Sequence, residues 1–349
     1  MIPAASRRLV GDDVGVLSDF DDRLRSVLSE RGIADWYDRL RSAALPSFLV
    51  HVDSASNESS EGDQFIPPPQ FRLGGTRFGG TPDLPRAARW PVNANGRHLV
   101  FVGQVDLAEL PATGHNLPPS GLLSFFVGVD EPANDVDHRV FYFAEPDLVP
   151  TVRPSAATFV DRSGQPVSHR PVALRITESM SLPTDNDYFG DDEVPLHELQ
   201  HDLDGVTVGF GYEESRLLGH LETFIGSPAQ DAYLYKSGRA DIVYLAHLQP
   251  GQVERQIQEA RDADRPALVS YYENQRDEYE AAAAAMAWWR DPDVPHEAEM
   301  ADWQLLLSVD SHRAAGMCWW DAGSLNFAIR GSDLAAGRFD DTYAWIGSG

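Results

Sequence analysis

Leu99-Val-Phe-Val-Gly-Gln-Val-Asp106 and Trp303-Gln-Leu-Leu-Leu-Ser-Val-Asp310 are two apolar runs that both end in Val-Asp. Each is followed by a loop and then by a glycine that opens an aromatic run, Gly121-Leu-Leu-Ser-Phe-Phe-Val-Gly128 in one case and Gly323-Ser-Leu-Asn-Phe-Ala-Ile-Arg330 in the other. Short apolar runs bounded by turn formers predict strands, so each pair reads as a hairpin. The tripeptide Asp-Leu-Ala also recurs, at 106–108 and 333–335. Two origins fit: a divergent duplication with repeat-like units near 99–130 and 303–335 around a shared core, or convergence of two amphipathic hairpins. Asp106 and Asp310 are then either twin ligands across a pseudo-twofold or acceptors for backbone N–H groups of the turn, which is the commoner use of Asp at a strand end.

Further strand-like runs lie at 139–144, 157–160 and 167–177, with a last one near Tyr343. No helical pattern alternates with them, which favours an antiparallel sheet over βαβ units. Before them, Ser18 is a helix cap, Phe20, Leu24, Val27 and Leu28 recur at helical spacing, and Gly32 is a stop. Ile33, Trp36, Tyr37 and Leu40 repeat the pattern ahead of Pro46. Later, 252–263 and 271–289 read as helices, the second closed by Pro292. The expected fold is α+β: a largely antiparallel, β-rich core with two pseudo-repeated β units, peripheral helices and an N-terminal helical extension. The expected division is 1–50 for that extension, 51–70 for a mobile acidic and Pro-rich linker containing DSASNESSEGD (53–63), and 71–349 for the β-rich domain. Its Pro/Gly-punctuated start, up to Pro91, reads as an extended segment wrapping the core.

A formal net charge of -26 repels phosphate backbones and argues against a nucleic-acid ligand. The charge serves solubility or a salty cytoplasm, a docking surface for a basic protein partner, or metal binding by clustered carboxylates. Cys318 is the one cysteine, so an internal disulfide and a multi-cysteine metal site are excluded, and a reducing, cytoplasmic setting fits. Lys236 is the one lysine, and no Walker-type glycine pattern precedes it. No apolar stretch is long enough for a secretory core or a membrane span, so neither export nor membrane insertion is expected.

His197-Glu198-Leu199-Gln200-His201 fits H-E-x-x-H, which on a helix presents two imidazoles to zinc while the glutamate activates water; Glu222 would be a third ligand. Pro195 before it and Asp204-Gly205 after it leave barely two helical turns, and the spacing also arises in an exposed turn. Asp185-Asn-Asp187-Tyr-Phe-Gly190 begins like a calcium loop, but Leu196 stands where the bidentate glutamate belongs. There is no G-x-S-x-G, and Cys318 sits between Met317 and Trp319, a setting for a packed thiol. Trp90, Trp303, Trp319 and Trp320 with Phe125 and Phe126 either line a ligand pocket around Gln104 and Asp321 or fill the core, with the polar pair satisfying backbone groups.

The blocks Phe78-Gly-Gly-Thr-Pro-Asp-Leu-Pro85 with Trp90-Pro91, Val102-Gly-Gln104 with Val105-Asp106, and Gly121-Leu-Leu-Ser-Phe-Phe126 resemble the bacterial YwqG-like family, a domain of unknown function. Ile225-Gly-Ser-Pro228 with Gln230, 303–310, Ser311, Met317, Trp319, Asp321-Ala-Gly323 and Phe327 extend the resemblance from about Phe71 to the C-terminus. Two positions depart from it: Ser308 replaces a glutamine, and Trp320 stands where a glycine separates Trp from Asp. The resemblance implies an α+β fold with no established activity. Members look like companions of secreted-toxin loci, which implies an immunity or partner-binding role.

The leading expectation is a non-catalytic protein that binds a basic protein partner, without a cofactor. The alternatives are a zinc-dependent hydrolase using His197, His201 and Glu222 with Glu198 as general base, and a small-molecule sensor whose aromatic cleft involves Trp90, Gln104, Asp106, Asp310, Trp319 and Asp321.

Overall fold

The computed structural model describes residues 14–52, 71–111, 115–183, 199, 202–203, 215–221, 227–243 and 251–347, apart from 130, 146, 156–158, 160 and 162. Phe20, Leu24, Val27 and Leu28 recur every three or four residues, so α1 (Val14–Glu30) buries one apolar stripe. Gly32, at φ +73°, ends it, and the Ile33 N–H returns to Leu28 O at 2.9 Å. After α2 (Tyr37–Ala43), Leu45 to Val52 form β1. That strand comes from the stretch read as a helical extension. The pattern around Pro46 reads as a helix stop, but Phe48 and Val50 are buried and alternate at strand period.

The chain continues through β2 (Arg77–Phe78), β3 (Asp83–Pro85), β4 (Val100–Asp106), β5 (Leu122–Val127), β6 (His138–Phe143), β7 (Leu148–Pro150), β8 (Val172–Ser181) and β9 (Ser215–Gly219). Then come α3 (Pro228–Lys236), α4 (Gln252–Asp262), α5 (Pro266–Trp289), α6 (His296–Ala301), β10 (Trp303–Asp310), β11 (Ser324–Arg330), α7 (Gly331–Ala335) and β12 (Tyr343–Gly347). One ten-stranded sheet has the order β12-β11-β10-β9-β1-β8-β2-β4-β5-β6, while β3 and β7 pair separately. The pairs β1–β8, β1–β9, β9–β10, β11–β12, β2–β4, β2–β8, β4–β5 and β5–β6 are antiparallel. The protein is thus a β-rich α+β fold, as its sequence leads one to expect. The strand read at 167–177 starts only at Val172, because the Arg170 N–H is drawn to Ala315 O (2.7 Å) and His169 O accepts from Gly80 (2.9 Å). The run at 157–160 lies, apart from the buried Phe159, outside the described residues.

β5 is buried along its whole length and β4 along all but its last residue, as strands covered on both faces are. Their side chains join Phe48, Phe78, Leu217, Leu306, Phe327 and Trp319 in the main core. A second cluster unites the α1 stripe with Leu40, Met180, Leu182, Leu199 and Leu203.

The contacts divide the chain into two compact units, residues 1–228 with 304–349, and residues 229–303. Within the second, Tyr233 stacks on Trp288 (5.9 Å), and His296 sits 4.5 Å from Trp288 and 4.7 Å from Trp289. The helices α4 and α5 form a hairpin crossed by the ion pairs Arg261–Glu273 (2.6 Å) and Arg276–Glu254 (2.9 Å).

Candidate functional site

The two hairpins are anchored by the same kinds of contact. The Asp106 N–H donates to Thr76 Oγ1 and the Asp310 N–H to Ser215 Oγ, each at 3.0 Å. One residue on, the Leu107 N–H donates to Gly121 O (2.9 Å) and the Ser311 N–H to Gly323 O (3.1 Å). Arg77 lies opposite Gln104 across the β2–β4 ladder, and Arg216 lies opposite Ser308 across β9–β10. The side chain of Asp106 is occupied: one oxygen accepts the Ala108 N–H (3.0 Å) and caps a short turn, and the other takes Arg72. Nearby, Glu109 is held below the usual carboxylate range; burial opposes this, and hydrogen bonds from Thr76 and Arg72 outweigh it.

Gln104 is fully buried, and its amide is engaged at both ends. Its Oε1 accepts the Asp83 N–H (3.0 Å), while its Nε2 donates to Gly75 O (3.0 Å) and Asp83 Oδ2 (3.1 Å). The same Asp83 oxygen receives Arg77 Nη1 (2.9 Å) and the Gly74 N–H (2.9 Å). A buried carboxylate paired and hydrogen-bonded in this way is a structural knot that fixes the loop from Gly74 to Asp83 against β4. Gly79 in that loop has φ +67°, and a Cβ there would lie 2.1 Å from Arg170 O, so close backbone approach accounts for this glycine.

Trp90 and Trp319 both belong to the apolar interior. Trp90 packs edge-on against Phe126 (5.8 Å) and Phe159 (5.7 Å) and donates to Leu99 O (2.7 Å). Trp319 is 7% exposed, meets His169 edge-on (5.5 Å), and its buried Nε1 finds no acceptor among the described residues. Ser311 clamps the loop behind it: the Trp319 N–H donates to Ser311 Oγ (2.9 Å), and that hydroxyl donates to Gly323 O (2.8 Å). Asp321 is exposed, and the residues on either side, Trp320 and Ala322, hold φ +50° and +60°. Trp303 is buried at the start of β10. Among the residues read as one aromatic cleft, Gln104 is therefore tied to the Asp83 knot, and Trp90 and Trp319 to the core.

Sequence patterns gave no sign of Arg153, Phe159 and His169. The Arg153 guanidinium lies 4.7 Å over the Phe159 ring, and its Nη2 donates to Val167 O (2.8 Å). Burial pushes Arg153 below its ordinary pKa. It also pushes His169 down to about 4, with a carbonyl hydrogen bond opposing and the Arg153 charge assisting. The signal that gathers these residues is spatial, since nothing in their spacing sets them apart.

His197, Glu198, His201 and Glu222, like the acidic turn at 185–190 and the segment at 53–63, lie outside the described residues. Within the H-E-x-x-H segment, Leu199 is buried against α1 with Leu203, whose N–H donates back to Leu199 O (2.9 Å). Among the described residues no group of three or more His, Cys, Asp or Glu is placed to hold a metal ion, and no helix is long and apolar enough to cross a membrane.

No curated protein matches the chain. A family model described as a domain of unknown function (DUF1963) matches residues 76–346, a span that opens at the hydroxyl holding Asp106 and closes in β12. The match covers well over half of the sequence, and the chain belongs to the DUF1963 family.

Proposed function

We propose that this protein acts by binding a basic protein partner rather than by catalysis, and that the tip of the α4–α5 hairpin is its docking surface. One observation carries the reading: Leu268 (37% exposed) and Tyr271 (53% exposed) stand open at the start of α5, in a unit with fifteen Asp or Glu against seven Lys or Arg between 229 and 303. Exposed aromatic and aliphatic anchors with an acidic surround suit a cationic, partly apolar surface. Gln104 and Asp106 of the β4 hairpin, by contrast, are engaged within the fold. A test is titration with a synthetic amphipathic Lys/Leu peptide, with a Gln/Leu peptide as control. Binding is expected only to the cationic peptide, weakening with salt and falling about tenfold in Tyr271→Ser, one hot-spot aromatic being worth 1–2 kcal/mol or more. Equal binding of both peptides, or an unchanged Tyr271→Ser variant, overturns the reading.

We also read the domain as YwqG-like, and its two hairpins as copies of one unit. The matched Thr76–Asp106 and Ser215–Asp310 bonds support the second point. So does the sheet order, in which β4-β5-β6 and β10-β11-β12 run outward to opposite edges. In this reading Arg77 and Arg216 correspond, and Ser308 is the counterpart of Gln104.

The zinc-hydrolase reading retains one supporting observation, the helical return of the Leu203 N–H, just past the H-E-x-x-H segment, to Leu199 O within it. Elemental analysis of untagged protein and of His201→Ala tests it: about one zinc per chain, lost in the variant, supports the site, and a metal-free protein removes it.

A further inference from the structure

We propose that Arg153, Trp319 and the aromatic residues around them form a binding site for a small organic carboxylate. The chain holds 54 acidic residues against 28 Lys and Arg, yet the half-buried Arg153 makes no ion pair with a carboxylate among the described residues. It meets the Phe159 face and Val167 O. A guanidinium presents five donors in a planar fork, so a single carbonyl leaves most of the fork open.

Trp319 is the second, independent observation. Its indole N–H is buried with no acceptor among the described residues, a condition that costs about 1–3 kcal/mol unless a partner supplies the bond. His169 links the two groups: its ring lies 5.5 Å from Trp319, and Val167, two residues before it, gives its carbonyl to Arg153 (2.8 Å). The imidazole is not a rival donor. Its Nδ1 faces Phe101 O (3.2 Å), a carbonyl that only accepts, so the proton of a neutral ring sits there and the other nitrogen carries the lone pair. One cation and one indole N–H match a monoanion with two oxygens better than a phosphate dianion, which the overall charge of -26 also disfavours.

The walls define the rest of the ligand. Phe159 is flanked by Trp90 (5.7 Å) and His98 (5.9 Å), and His98 Nδ1 is likewise buried without a partner among the described residues. Aromatic walls with a few convergent polar groups suit an organic body behind the carboxylate. The loop that carries Trp319 holds two non-glycine residues, Trp320 and Ala322, at positive φ, strain of the kind retained where a side chain must be held in place.

The experiment follows the indole N–H resonances of the ¹⁵N-labelled full chain during titration with sodium benzoate, with Trp319→Phe assigning the Trp319 signal. A saturable downfield shift of that signal is expected, absent with sodium chloride at equal ionic strength and weaker with inorganic phosphate. In Arg153→Gln the affinity falls about tenfold or more, and Arg153→Lys, which keeps the charge but not the fork, lies between. The remaining tryptophan resonances report that each variant is folded. The proposal is overturned if the Trp319 signal is visible and does not move, if its shift survives in a folded Arg153→Gln, or if phosphate binds as well as benzoate. None of these readouts involves Leu268 or Tyr271, so this site stands or falls apart from the partner-docking surface.

Discussion

The Ser215 hydroxyl accepts the backbone N–H of Asp310 at 3.0 Å while lying 2.8 Å from His312 Nε2. A serine touching a histidine invites a nucleophilic reading, but Ser215 is fully buried and Thr76 holds Asp106 in the same way. The hydroxyl is a clamp on the strand end. Ser215→Ala removes the hydroxyl that the Asp310 N–H and His312 Nε2 both meet, so a loss of about 1–3 kcal/mol is expected. Thr76→Val, which removes the acceptor of the Asp106 N–H and the hydroxyl bond to Glu109 at a less buried site, is expected to cost about 1–2 kcal/mol. The urea midpoints of the two variants check both the size and the order.

Gln104 joins Asp83 and Gly75 inside β4, so its replacement tests whether that knot is structural. Gln104→Leu orphans the Asp83 N–H and takes one of two donors from Gly75 O, which keeps Arg77 Nη1 (3.2 Å), and a loss of about 2–4 kcal/mol is expected. Gln104→Glu adds a second carboxylate beside Asp83 and is expected to lose more near neutral pH and to recover part of it in mild acid. A Gln104→Leu protein with an unchanged denaturation midpoint contradicts this account.

Trp320 stands where the family resemblance leads one to expect glycine, and its φ of +50° supplies the reason for that glycine. The position needs a left-handed backbone. Trp320→Gly relieves about 1 kcal/mol of backbone strain and removes an exposed ring (55% exposed) along with the bond from its Nε1 to Glu131 O (3.3 Å). Thermal unfolding of the variant is expected to match the parent or exceed it by a few degrees, and a large fall would show that the ring itself holds the loop.

His169 and His220 are pushed from 6.5 down to about 4, in each case chiefly by burial, with carbonyl hydrogen bonds opposing. As pH falls from about 6.5 toward 4, the unfolded chain takes up protons that the folded chain refuses, so stability drops across that window. Each histidine contributes up to about 3 kcal/mol of the drop. Glu109 and Asp333, held below the ordinary carboxylate range, add their losses only at lower pH, below their unfolded values of 4.5 and 3.8. Urea titrations at several pH values are therefore expected to show a decline above pH 4.5, shallower in His220→Gln.

The strands and helices that the sequence marks most clearly are the ones whose signal is local. The Trp303 to Asp310 strand, both aromatic hairpin strands and the 252–263 helix carry their own periodicity and stops, and the structure places elements there within a residue or so. β9 was not legible because only five residues pair, with Leu218 and Gly219 at positive φ. β1 hid behind a helix stop, although it is flanked by β8 and β9 near the middle of the sheet.

By itself the sequence determined the acidic character, the β-rich class, the hairpins ending at Asp106 and Asp310, and the lack of a disulfide, because these depend on composition and on neighbours along the chain. Tertiary structure alone decided that Gln104 serves Asp83, that Arg153 lies over Phe159 and that His169 packs edge-on against Trp319. The physical reason is the range of the forces. Strand and helix preferences act over a few residues, whereas burial and hydrogen-bond satisfaction act between groups that the ten-stranded sheet and its loops bring together from positions far apart in the chain.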